Sequence, residues 1–135
     1  MAHGLTRGLS AAMLALSLPL FAQVASVSGA VSNQVSVAGI HADMALDATD
    51  LGTVQLHLHH VINCLEGPAG KDFDAKATNP CHGMGQGAIV DAKDDPHVEA
   101  RLNEALQQAR SGLHAKTLQD ARASAQQVFN LLQRR

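Results

Sequence analysis

The chain has 135 residues, of which 46% are hydrophobic and 16% charged, with a formal charge of −2. That length holds one domain of ordinary size, and the charge balance provides no basic stripe to neutralise phosphates, so nucleic acid is not an expected partner. Trp and Tyr are absent and Phe occurs three times, which removes any platform for stacking bases or sugars. Eight histidines and two cysteines remain as the side chains able to carry chemistry.

Residues 1–30 have the layout of a secretory signal peptide. Arg7 precedes an apolar run over residues 9–21, and the small-x-small pairs Val24/Ser26 and Ser28/Ala30 offer cleavage sites. The run is too short to cross a hydrocarbon core of about 30 Å as a helix, and no other segment is apolar enough to span one. A mature chain of residues 31–135 then carries nine Lys and Arg against twelve Asp and Glu. Export implies the bacterial periplasm or the exterior, where an even pair of cysteines is normally oxidised, so Cys64 and Cys81 are expected to form a disulfide.

The mature chain reads as all-α. Val37, Ile40, Met44 and Ala48 form one helical stripe, and Leu51, Val54, Leu58, Val61 and Leu65 form a second, with Asp50 able to cap the second helix. Together they predict an αα-hairpin over residues 37–65. Residues 66–94 are rich in Gly, Pro, Asp and Asn and lack a period, which predicts a long loop. A Cys64–Cys81 bridge would close about 16 residues of it, worth roughly 3 kcal/mol.

Asp95-Pro96 marks a third helix carrying Val98, Leu102, Ala105, Leu106 and Ala109, ended by Ser111-Gly112. Leu118, Ala121, Ala125, Val128 and Leu132 mark a fourth, giving a second hairpin over residues 95–133. The expected architecture is an up-down four-helix bundle of two hairpins joined by a disulfide-clipped loop. Its core is thin, since 16 of the 44 hydrophobic residues after Ala30 are alanine.

The histidines converge on the first hairpin. At 100° per residue, His57, His60 and Cys64 share one flank of the second helix while His59 points away. His57 and His60, three apart, can reach a common ion. A turn centred near Asp50 sets position 41 opposite 59 or 60, and position 41 is itself histidine. This predicts a metal cluster of His41, His57 and His60. The Cys64–Cys81 bridge would carry His82, and with it Met84, toward the same flank, making His82 a candidate fourth ligand. Imidazoles suit Cu, Zn, Ni and Fe, and reduced cysteines would instead point to a Cys/His zinc site.

Other features carry less. Residues 83–87 have the glycines of a phosphate loop without its preceding strand or third glycine. Asp72, Asp74 and Asp91 lack the spacing of a calcium loop. His97 and His114 have no histidine neighbours in sequence. No HExxH, GxSxG, CxxC or CxxCH is present, so neither an enzyme nor covalent haem attachment is expected.

An exported, alanine-rich, four-helix chain with histidines at inward positions, as in IHADMALDA and VQLHLHHVINCL, and with DPHVEARLNEALQQARSGL as its scaffold half, resembles the small histidine-bearing metal-binding proteins of bacterial periplasms. The resemblance implies an up-down four-helix bundle that takes up copper and other divalent metals, with His41, His57 and His60 at matching positions and His97 at the start of the second hairpin. This chain departs from that pattern in having no histidine on its fourth helix and a cysteine-bearing loop, which implies one defined site. Copper is the first expectation. The alternatives are a b-type haem held by two of the same histidines, or by one with Met44 or Met84, and a purely structural or partner-binding envelope protein with no ligand, whose histidines are incidental.

Overall fold

Three helix starts follow from single side chains. The Asp50 carboxylate accepts from the Thr53 backbone N–H at 2.9 Å and from its hydroxyl at 2.7 Å. Asp95 accepts from the N–H groups of His97 and Val98, with Pro96 at the first helical position, and Thr117 accepts from Asp120. Each satisfies donors that the first turn of a helix leaves free.

The computed structural model describes residues 21–134, and these are helical without strands: α1 (Phe21–Asp47), α2 (Leu51–Glu66), a short α3 (Ala88–Asp91), α4 (Pro96–His114) and α5 (Leu118–Gln133). A single 3₁₀ turn, Ala75–Ala77, lies between α2 and α3. Among the described residues, no helix is long and apolar enough to cross a membrane. Residues 1–20, which include most of the expected leader, lie outside the described residues.

The four long helices close into a ring of contacts, α1 on α2 and α5, α4 on α2 and α5, with α3 wedged against α1, α2 and α4. Two side chains tie helix ends across this ring. Arg122 on α5 donates to the Leu46 carbonyl near the end of α1 at 2.9 and 2.6 Å, and Gln55 on α2 donates to the carbonyls of Leu113 and Ala115 at 3.0 and 3.2 Å. Both satisfy carbonyls that a helix C-terminus leaves without partners.

The stripes predicted for α2, α4 and α5 are the ones that pack: Val54, Leu58, Val61, Leu65, Leu102 and Val128 are all fully buried. The stripe predicted for α1 is not. Ile40 is 55% exposed and Met44 46% exposed, whereas Ala38, Ala42 and Ala45 are fully buried. The alanine face lets α1 approach both α2 and α5 closely, and that geometric requirement outweighs the larger hydrophobicity of Ile40 and Met44.

α1 also extends well before the predicted start at Val37. Gln34, 1% exposed, holds this extension in place. Its amide donates to Asp91 Oδ2 at 2.7 Å and its carbonyl oxygen accepts from the Gly87 N–H at 3.0 Å. Tertiary hydrogen bonds keep helical a Ser- and Asn-containing stretch whose own propensity is poor. The same bonds fix Gly87 and Asp91 within residues 66–94, a segment that holds the 3₁₀ turn Ala75–Ala77 and the helix α3 where the sequence predicts only loop.

Gly112 differs from its sequence reading as well. It does not end α4, which runs on to His114, but sits buried where α4 meets α2 and α5. A Cβ there would lie 2.3 Å from Leu58 Cδ1 and 3.1 Å from Ser124 Cβ. An exposed helical glycine gains about 1 kcal/mol on replacement by alanine. Gly112→Ala is instead expected to lose about 1–2 kcal/mol, because Leu58 must leave its rotamer in a filled core. Equilibrium urea unfolding measures the sign.

Candidate metal centre

The connection from α1 to α2 is only residues 48–50, so the two helices fold back on one another and residues equidistant from the turn face each other. This register brings His41 of α1 against His57 and His60 of α2. His41 Nδ1 lies 3.2 Å from His57 Nδ1 and 3.3 Å from His60 Nδ1. The ring centroids are 5.5, 4.6 and 5.7 Å apart around the triangle. One ligand atom from each ring lies within 4.8 Å of the other two, and all three residues are half-buried.

These distances suit an ion. Nitrogens bound at about 2.0–2.1 Å to one tetrahedral metal stand roughly 3.3–3.4 Å apart, close to the two shortest separations here. Three imidazoles leave a further coordination position, and the partial exposure of the rings leaves it reachable. Nearby charge and burial prepare the nitrogens as ligands. Burial, followed by the neighbouring His60 and His57 rings, pushes the His41 pKa from its ordinary value near 6.5 down to about 4. Burial also lowers His57. His60 is lowered chiefly by burial, opposed by a hydrogen bond to the Ala77 backbone. Neutral imidazole is the form that binds a metal.

The disulfide expected between Cys64 and Cys81 is present. With these sulfurs bonded to each other, the Cys/His zinc alternative has no thiolates to use. The bridge does not deliver His82 as expected. Cys81 packs under α1 with its sulfur 3.7 Å from the Gln34 carbonyl, seven residues before His41, a rise of about 10 Å along the helix. His82, next in sequence, is exposed and is not part of the histidine group. Met84, half-buried, packs against the hydrophobic core.

The remaining histidines serve elsewhere. His59 turns away from the triad, as its position on α2 predicts, and its Nδ1 lies 3.8 Å from Asp74 Oδ2. With His114, Lys71, Asp72, Arg110 and Leu113 it lines an open groove of about 370 Å³. Arg110 is committed there to Glu66 at 2.7 Å and to Asp72. His97 is exposed at the start of α4.

Sequence reasoning missed Asn63. It is fully buried on α2, and its amide donates to the carbonyls of Asp74 at 2.8 Å and Thr78 at 2.7 Å while its oxygen accepts from the Asp74 N–H at 2.8 Å. The available signal was a lone amide inside the apolar run from Val61 to Leu65, at a core position where an unpaired polar group is costly. No family model, curated protein or solved structure matches this chain.

Proposed function

We propose that this protein is a small exported metal-binding protein, an up-down four-helix bundle holding one transition-metal ion through the Nδ1 atoms of His41, His57 and His60. The observation that carries the reading is the convergence of three imidazole nitrogens, from two helices, at separations of 3.2 and 3.3 Å for two of the pairs. Copper is the favoured ion, because imidazole nitrogens suit it and it heads the affinity order of the divalent first-row metals. The proposed role is to hold or pass on an ion in the periplasm, not to turn over a substrate. A b-type haem fits less well, since two axial imidazoles must lie on opposite faces of a macrocycle and His41 touches both of its neighbours.

The test uses the lack of Trp and Tyr, which leaves the protein nearly silent at 280 nm. Titration with Cu(II), Zn(II) and Ni(II) is expected to produce one-to-one binding and a rise in melting temperature. An ion at 100 times its dissociation constant stabilises the native state by about 2.7 kcal/mol. His60→Ala is expected to weaken binding strongly and His114→Ala not at all. Unchanged spectra and melting temperatures with all three ions would remove the proposal, and a Soret band in the purified protein would replace metal with haem.

A further inference from the structure

The three histidines lie along the outer edge of the α1–α2 seam. On α2 the fully buried stripe is Val54, Leu58, Val61 and Leu65, and His57 and His60 stand to one side of it, the side turned to α1. On α1 the alanines Ala38, Ala42 and Ala45 face the core. Gly39 marks the side toward α5, since a Cβ there would meet the Gln133 amide at 3.5 Å, and His41 occupies the opposite side, toward α2. Met44 follows His41 by three residues and falls about 60° further round on that same side. It therefore holds the outer edge of α1 as His60 holds the outer edge of α2, one turn from His41 and closer to the connection between the helices.

Side chains three apart on a helix have Cβ atoms roughly 5–6 Å apart, and a thioether on three rotatable bonds adapts to that gap. The core does not use Met44, which is 46% exposed, whereas Met84 packs against it. The other donors on this edge are already engaged. The Thr53 hydroxyl donates to Asp50 at 2.7 Å, and Cys64 is bonded to Cys81. Asp43 and Asp47 lie about 160° and 120° round α1 from His41. Among the described residues, no carboxylate joins the three imidazoles.

We propose that Met44 supplies a fourth, thioether ligand and that the completed site selects Cu(I). This deepens the metal-binding reading and rests on it. Imidazole accepts copper, zinc and nickel alike, whereas a thioether is a soft donor that favours Cu(I), so the methionine carries the discrimination. Three imidazoles and a thioether form a neutral set. Among half-buried neutral ligands a monovalent ion costs less desolvation than a divalent one.

The experiment pairs anaerobic Cu(I) titration against a competing chelator with Cu(II) and Zn(II) titrations, for wild type, Met44→Leu and Met84→Leu. Met44→Leu conserves volume at an exposed position, so the fold is expected to persist. It should bind Cu(I) at least about tenfold more weakly, the lower limit for losing even an outer partner of a ligand, with Cu(II) and Zn(II) changed by less than about twofold. Met84→Leu should leave the Cu(I) affinity unchanged. In selenomethionine-labelled protein loaded with Cu(I), X-ray absorption at the copper edge should show a selenium neighbour that Met44→Leu removes and Met84→Leu keeps. A wild-type copper shell without selenium, or an unchanged Cu(I) affinity in Met44→Leu, overturns the assignment while the three-histidine site stands. Equal losses for Cu(I), Cu(II) and Zn(II) would make Met44 a structural residue and overturn it too. If wild-type protein binds none of the three ions, the metal-binding reading fails, and the assignment of Met44 with it.

Discussion

Replacing His41 with alanine is expected to abolish tight ion binding and to flatten the acid side of the stability profile. His41 is the neighbour shared by both other rings, and it alone bridges α1 to α2 within the triad. Without it, His57 and His60 remain as two rings three residues apart on one helix, with centroids 5.7 Å apart. The loss in affinity should exceed the roughly 100-fold that removal of a supporting hydrogen bond can cost, because a ligand itself is gone.

The pH effect follows from the lowered pKa. Between about 6.5 and about 4 the unfolded chain takes up a proton at position 41 that the folded protein resists. The stabilising contribution of neutral His41 is therefore complete above about 6.5 and is lost as pH falls through that window to about 4. His57 and His60 are shifted in the same direction and add to the slope. Metal-free His41→Ala should keep more of its neutral-pH stability under acid than wild type does. Thermal melts followed by circular dichroism from pH 7 to pH 4 measure this, and parallel profiles for the two proteins would rule the triad out as the source.

The second large effect concerns Gly87. Here the backbone at residues 66–67 presses directly on the backbone at 86–87. Gly87 has φ 119°, and a Cβ on it would lie 2.4 Å from the Glu66 carbonyl oxygen and 2.7 Å from the Gly67 nitrogen. Gly67, at φ 71°, has the reciprocal problem, with Gln86 O at 1.9 Å. Neither neighbour is a flexible side-chain tip, so the contact cannot be relieved by changing a rotamer. Gly87→Ala combines about 1–3 kcal/mol of backbone strain with a further 1–3 kcal/mol of overpacking. Gly83 supplies the control: its φ is 78°, but nothing lies within 4 Å of a Cβ placed there. Gly83→Ala should therefore lose only about 1 kcal/mol, the cost of the left-handed conformation. Urea denaturation of the two variants separates strain from collision, and equal losses would mean that the 66–67 and 86–87 backbones are not in contact.

The residues that sequence placed well are those whose geometry is local. His57 and His60 are related by one helical turn, and His41 enters through the register of a hairpin with a short connection. Asp50 and Asp95 cap the helices they precede. The α1 face was legible only in part, because a hydrophobicity pattern favours Ile40 and Met44 while close packing selects Ala38, Ala42 and Ala45. Gly112 carries the sequence signal of a stop but occupies a crossing point. Asn63 and Gln34 were invisible for a different reason. Their partners lie up to 15 and 57 residues away, in segments with no period of their own. His82 failed because the direction in which a disulfide carries a neighbouring residue depends on the helix it packs beneath.

The alanine face of α1 bears on how an ion would leave. A helix seated on alanines gives up little buried area when it moves, since each small side chain contributes a fraction of what a leucine would. Opening the α1–α2 seam would also break the hydrogen bonds that Gln34 and Arg122 make from and to α1. His41 travels with α1, while His57 and His60 stay on α2 beside the disulfide. Opening of the α1–α2 seam would therefore reduce three ligands to two in a single motion. The residence time of a bound ion would then be set by the breathing of one helix, and the ion, while present, would serve as the cross-link that the alanines do not provide.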